Sequence, residues 1–169
     1  VAGLARAVET NQSAEHYLEA PPLRPFARDD IAPLSFPQER LWFLYQLDPT
    51  SVSYSVPRAL RIKGRLDVKA LEDTFSEIIR RHEILRTTFP VVDETAVQMI
   101  HPPQPVSIPL LDFSDLAEAD QDEELRRVIR DEGSRQFDLA HGPLLRLKLV
   151  RFGPEHHVLL LTEHHLIHD

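Results

Sequence analysis

The stretch LLRLKLVRFGPEHHVLLLTEHHLIHD, residues 144–169, decides the fold of this chain. Two strand-like runs, Leu144 to Phe152 and His157 to Leu166, flank the turn residues Gly153, Pro154 and Glu155, which is the pattern of a β-hairpin. The second run holds Val158 to Leu161 without a polar break. Successive strand residues point to opposite faces, so a strand apolar at every step belongs in the middle of a sheet covered on both sides.

Working upstream, helices and strands alternate in a way that supplies those covers. Ser35 can cap a helix, with Gln38 closing a capping box and Pro37 in the first turn; the helix runs to Leu47 and stops at Asp48-Pro49. Tyr54, Val56, Leu60 and Ile62 recur at alternate positions, interrupted by Arg58, as in a half-buried strand that Gly64 ends. Asp67 caps a second helix whose inward face is Leu71, Phe75, Ile78, Ile79, His82 and Leu85. Short strands are predicted over Thr87 to Val92 and Val97 to Ile100, and a third helix over Glu118 to Gln136 with Leu125, Val128 and Ile129 inward. The fold class is α/β, an α+β two-layer sandwich with helices packed on a mixed, largely antiparallel sheet. Residues 1–9 fit the last turns of a helix, and residues 10–32, with Pro21, Pro22 and Pro25, read as an interdomain linker.

Composition narrows the chemistry. The 169 residues have room for one medium domain or one lobe of a larger one. No apolar run approaches the roughly 18 to 20 residues of a membrane span, so no membrane partner is expected. The net charge of -8 gives no footprint for nucleic acid. Without cysteine there is no disulfide, no thiolate zinc site and no thiol nucleophile. Val1 opens the sequence with no secretory signal after it, as expected of a piece of a longer cytoplasmic polypeptide.

Five histidines crowd the end of the chain: His156, His157, His164, His165 and His168. A metal site, with Glu163 and Asp169 nearby, is disfavoured because strand neighbours such as His164 and His165 point apart. His156 and His157 flank a turn and read as structural. His164 and His165 follow an apolar strand, so at least one imidazole there is desolvated and neutral, the form that accepts a proton. On the residues alone, structural and catalytic roles both stay open.

His164-His165-Leu166-Ile167-His168-Asp169 matches the first six positions of HHxxxDG, the motif of nonribosomal peptide synthetase condensation domains and of related acyltransferases of the chloramphenicol acetyltransferase type. LSFPQERLWFLYQL, Leu34 to Leu47, resembles the opening S-x-A-Q-x-R-L-W helix of that family, with Pro37 where alanine is usual. RHEILRTTF, Arg81 to Phe89, and the FDLAHGPLLR stretch, Phe137 to Arg146, resemble two further blocks. Residues 33–169 therefore resemble the amino-terminal lobe of a condensation domain, and residues 1–9 resemble the end of a peptidyl carrier domain.

The resemblance implies an acyltransferase that forms an amide bond between carrier-bound thioesters. His165 is then the residue at the reaction centre, as base or as a positioning and stabilising group. His164 and Asp169 become supporting residues, with Arg86 as the partner of Asp169. Arg40 and Trp42 are expected to brace the opening helix, and Arg81, His82 and Glu83 to be a solvated helix end. No cofactor is bound directly; 4'-phosphopantetheine arrives on carriers. The implied partners are upstream and downstream peptidyl carrier domains, the carboxy-terminal lobe and an adenylation domain. An epimerisation domain, a coenzyme A-dependent acyltransferase and a non-catalytic recruitment module share parts of the pattern, whereas a heterocyclisation domain would replace the paired histidines.

Overall fold

The structure, a computed structural model, describes residues 31–168. The helix read in residues 1–9, most of the linker read in residues 10–32, and Asp169 lie outside the described residues. The elements run β1 (Ile31–Pro33), α1 (Phe36–Leu47), β2 (Ser55–Lys63), α2 (Val68–Arg81), a 3-10 turn at Glu83–Arg86, β3 (Thr87–Thr88), β4 (Val91–Val92), β5 (Thr95–Ile100), β6 (Leu110–Asp112), α3 (Glu118–Ser134), β7 (Leu145–Gly153), β8 (His156–His164) and a second 3-10 turn at His165–Ile167.

The apolar run of β8 puts it inside a sheet of order β2-β8-β7-β6. It pairs antiparallel with both β2 and β7, while β6 joins β7 in parallel. Alternation along β7 and β8 then divides the core. Leu149 and Leu159 face Leu71 and Phe75 of α2, whereas Val150, Val158 and Leu160 face Leu125 and Val128 of α3. The α+β class and the largely antiparallel pairing are as read from the sequence; the layering is fuller, because helices cover both faces of this sheet.

A second sheet of short strands, in the order β1-β5-β3 with β4 also on β5, lies beside it. Leu34, Phe89, Phe137, Leu139, Leu144, Leu166 and Ile167 bury one core between the sheets, and Leu41, Trp42 and Tyr45 of α1 pack on it. Burying each such side chain contributes about 1.5 to 3 kcal/mol, so this core fixes α1 to the end of β8.

Several boundaries differ from the sequence reading. β8 stops at His164 rather than Leu166, because the His164 ring accepts the Leu166 N–H and starts a 3-10 turn. α2 ends at Arg81, so His82 is its C-cap and Leu85 reaches the core from the following turn. α3 ends at Ser134 rather than Gln136. Leu60 is 51% exposed, because β2 is an edge strand and α2 covers Ile62 but not Leu60. Ile31 and Ala32, at the end of the stretch read as linker, pair with Met99 and Gln98 in β1.

Candidate functional site

The site forms where the central strand ends. His164 stays in register, its N–H donating to Leu144 O at 3.0 Å, and the next N–H, of His165, donates to Tyr54 O at 2.8 Å. There the chain turns. His164 Nδ1 accepts the Leu166 N–H at 3.1 Å, so the imidazole is the N-cap of the turn that carries His165. This bond requires an unprotonated Nδ1.

The His164 ring is 5% exposed and meets the edge of Phe137 at 5.8 Å. Desolvation, with a smaller contribution from the neighbouring His165, pushes its pKa down to about 4. Of the paired histidines it is the buried, desolvated one. Phe137 belongs to the FDLAHGPLLR block, in which Leu139 and Leu144 are also buried and Arg146 lies 3.8 Å over the Phe137 ring; Tyr54 is the other ring beside His164, at 6.3 Å. Asp138 ties that loop by accepting from the N–H groups of Ala140 at 2.9 Å and His141 at 3.1 Å. Gly142 sits at φ +65°, where a Cβ would come within 3.1 Å of Thr88 Cγ2.

His165 is exposed. Its Nδ1 lies 3.1 Å from the His168 carbonyl oxygen. A carbonyl only accepts, so Nδ1 carries the hydrogen, and in the neutral ring Nε2 is the acceptor. The ring stacks on that of His168, with centroids 4.8 Å apart and 25° between planes. Both lie along a cavity of about 340 Å³ lined also by Ser35, Pro37, Gln38, Leu41 and Ile84. Gln38 does double service: its side chain accepts from the Ser35 N–H in the capping box at 2.9 Å, and its Nε2 reaches Leu166 O at 3.5 Å. The first helix is thereby tied to the histidine turn.

Beneath the turn, Glu163 is buried and pairs with Arg58 across from β2, and His168 Nε2 lies 3.5 Å from the same carboxylate oxygen. The sequence marks Gln38 as a capping residue, Arg58 as a break in a strand, and Glu163 and His168 only as parts of a disfavoured metal site; it assigns none of them to this site. His165 and His168 are three apart, which superposes side chains in a 3-10 turn, but the sequence pattern continued the strand through Leu166.

Arg86 stands elsewhere, on the wall of a cavity of about 590 Å³ shared with Thr88, His101, Arg146 and Lys148. It donates to the His101 carbonyl and lies 3.4 Å from Glu83, while its buried Nε has no hydrogen-bond partner among the described residues. Trp42 packs on the inter-sheet core, whereas Arg40 is exposed and makes no hydrogen bond or ion pair among the described residues. Arg81 pairs with Glu77 at the exposed end of α2. His157 is a core histidine and His156 lies over Phe152 at 5.0 Å. Among the described residues no three His, Asp or Glu side chains come together to hold a metal ion. The pair His164 and His165 is separated by the turn that begins there, not by strand alternation. Among the described residues, too, no helix is long and apolar enough to cross a membrane.

Known proteins resemble this chain in sequence and in fold. The family model described as "Condensation domain" matches residues 28–169. Chondramide synthase cmdD of Chondromyces crocatus is 47% identical over 150 residues, which are 89% of this chain and 4% of that protein. A dimodular nonribosomal peptide synthase of Bacillus subtilis (strain 168) is 38% identical over 169 residues, 100% of this chain and 7% of its own. The crystal structure of the starter condensation domain of rhizomide synthetase RzmA superposes with a TM-score of 0.74 at 27% identity, over 82% of this chain and 33% of that one. The chain thus spans a small part of the curated relatives and about a third of a solved domain, and by the match over residues 28–169 it belongs to the condensation domain family of nonribosomal peptide synthetases.

Proposed function

We propose that this chain supplies the amino-terminal lobe of a domain that joins a carrier-bound acyl or peptidyl thioester to a carrier-bound aminoacyl thioester, with His165 at the reaction centre. The observation that carries the reading is the fixed tautomer of His165: exposed at the cavity, with Nδ1–H held by the His168 carbonyl and Nε2 left to accept. In the step, the amine nitrogen of the acceptor attacks the donor carbonyl carbon. Nε2 takes a proton from that nitrogen, and the carbon–sulfur bond breaks as the carbon–nitrogen bond forms. The departing phosphopantetheine sulfur receives the proton. Both thioesters arrive on 4'-phosphopantetheine arms of carrier domains, and the opposite wall of the site comes from the carboxy-terminal lobe.

In the complete domain with loaded carriers, His165→Ala is expected to lower dipeptide formation by about a hundredfold or more, the range of general-base catalysis, while carrier binding persists. Unchanged turnover would remove His165 from the reaction centre. Release of epimerised aminoacyl carrier without amide formation would favour the epimerisation reading instead.

Asp169 and Arg86 act in support. Arg86 keeps its buried Nε–H without a partner among the described residues, which suits a carboxylate arriving from Asp169. Breaking a buried pair of this kind costs about 3 to 5 kcal/mol, so Asp169→Ala should lose folded protein together with activity. A melting temperature equal to that of the wild type would refute the pairing.

A further inference from the structure

We infer that His168 is a positioning residue for His165, an inference that rests on the reaction-centre reading above. Three connections join the two residues. The His168 carbonyl accepts the His165 Nδ1–H at 3.1 Å, the His168 N–H donates to the His165 carbonyl at 3.3 Å, and the two rings stack at 4.8 Å. Stacking at this separation favours one orientation of an otherwise exposed ring.

The His168 ring is itself held from below. Its Nε2 lies 3.3 Å from Arg58 Nη2 and 3.5 Å from Glu163 Oε1, while Arg58 also donates to Glu163. A guanidinium only donates and a carboxylate only accepts. Neutral His168 can therefore accept from Arg58, and protonated His168 can donate to Glu163, so the clamp holds the ring in either state. Glu163 belongs to β8 and Arg58 to β2, the two best-paired strands beside the turn. Among the described residues the turn pairs with no strand beyond the His165 N–H bond to Tyr54 O, so the clamp adds the rigidity of the sheet to the His165 side of the turn. His168 touches no reacting atom in this scheme; it acts through the ring and the main chain of its neighbour.

The test uses the complete condensation domain, the unit in which the rhizomide starter domain was solved. Histidine-selective ¹⁵N spectra report the His165 tautomer, and assays with loaded carriers report kcat and KM. In His168→Ala the Nδ1–H form of His165 should give way to a mixture, and kcat should fall about tenfold to a hundredfold with KM unchanged, as for a misplaced catalytic group. His168→Phe, which keeps a planar ring over His165 but loses the contacts to Arg58 and Glu163, should recover only part of both readouts, the share that stacking supplies. If His168→Ala does not fold, His168→Leu fills the space without a planar ring and takes its place. A wild-type tautomer in the ring-less variant overturns the inference whatever the rate does, and a mixed tautomer with an unchanged rate overturns it equally. The spectra do not depend on His165 being catalytic, so failure of that reading would show separately, as an active His165→Ala.

Discussion

One imidazole, that of His164, makes the turn possible by staying neutral. Its Nδ1 must accept the Leu166 N–H, and burial against Phe137 holds its pKa near 4, below the ordinary value of 6.5. The unfolded chain therefore takes up this proton as the pH falls through 6.5, while the folded chain resists until about 4. Between those values the unfolded state binds more protons, so stability declines as pH is lowered, by up to about 3 kcal/mol from this residue alone. In denaturant titrations of the complete domain, His164→Asn should flatten that slope between pH 6.5 and 4, since its side-chain oxygen can cap the turn without titrating. An unaltered slope would locate the acid sensitivity elsewhere. At this scale the sequence showed that one of the paired histidines had to be desolvated, and its family resemblance pointed to His165 as the other. The role of the carboxylate under the turn was hidden, because Glu163 and Arg58, 105 positions apart, meet only through a strand register that the sequence does not announce.

At the scale of elements, caps and punctuation were the legible part. Ser35 with Gln38, Asp67, Gly64 and the turn after β7 stand where the sequence put them; the caps satisfy neighbouring backbone groups, and Gly64 takes a positive φ that other residues rarely adopt. What pattern alone misjudged was where tertiary contacts take over: the end of β8 and the cover of Leu60. A contact of the same kind joins α3 to β7. Glu132 is buried, with Arg146 at 3.4 Å and Lys148 as its other partner. Burial would raise this carboxyl, but the Lys148 ammonium and the Arg146 guanidinium outweigh it and hold the group below its usual range. Removing the carboxylate by Glu132→Ala leaves two cations facing each other in a half-buried site. The expected loss is about 3 kcal/mol, read as a lower denaturation midpoint. A change under about 0.5 kcal/mol would mean that the helix is held by Leu125 and Val128 alone.

For the molecule as a whole, the core between the two sheets couples stability to the site. Phe89 is 1% exposed and shares that core with Leu166 and Ile167 of the histidine turn. Phe89→Ala should cost about 3 to 5 kcal/mol through the cavity it leaves. In the fraction that remains folded, kcat should fall as well, because two of the three turn residues lose their backing. Full specific activity per folded domain would show that the turn holds its shape without this core. The overall class was readable because the hairpin's apolar run required covers on both faces and three amphipathic stretches were available to give them. The second sheet was legible only in part: the strands over Thr87 to Val92 and Val97 to Ile100 were read, but β1 and the pairing were not, since these strands are two to six residues long and β1 joins from far along the chain.

The alternation of β8 sets a parity rule for evolution and engineering. Glu163 points toward the α2 side with Arg58, His164 toward the α3 side with Phe137, and both are buried. Adding or deleting one residue between the apolar run and this pair would exchange their faces, setting a carboxylate against Phe137 and an imidazole against Arg58. Changes of two residues would preserve the sides. Functional hairpins of this kind should therefore differ in length, between the middle of the strand and its paired histidines, only by even numbers.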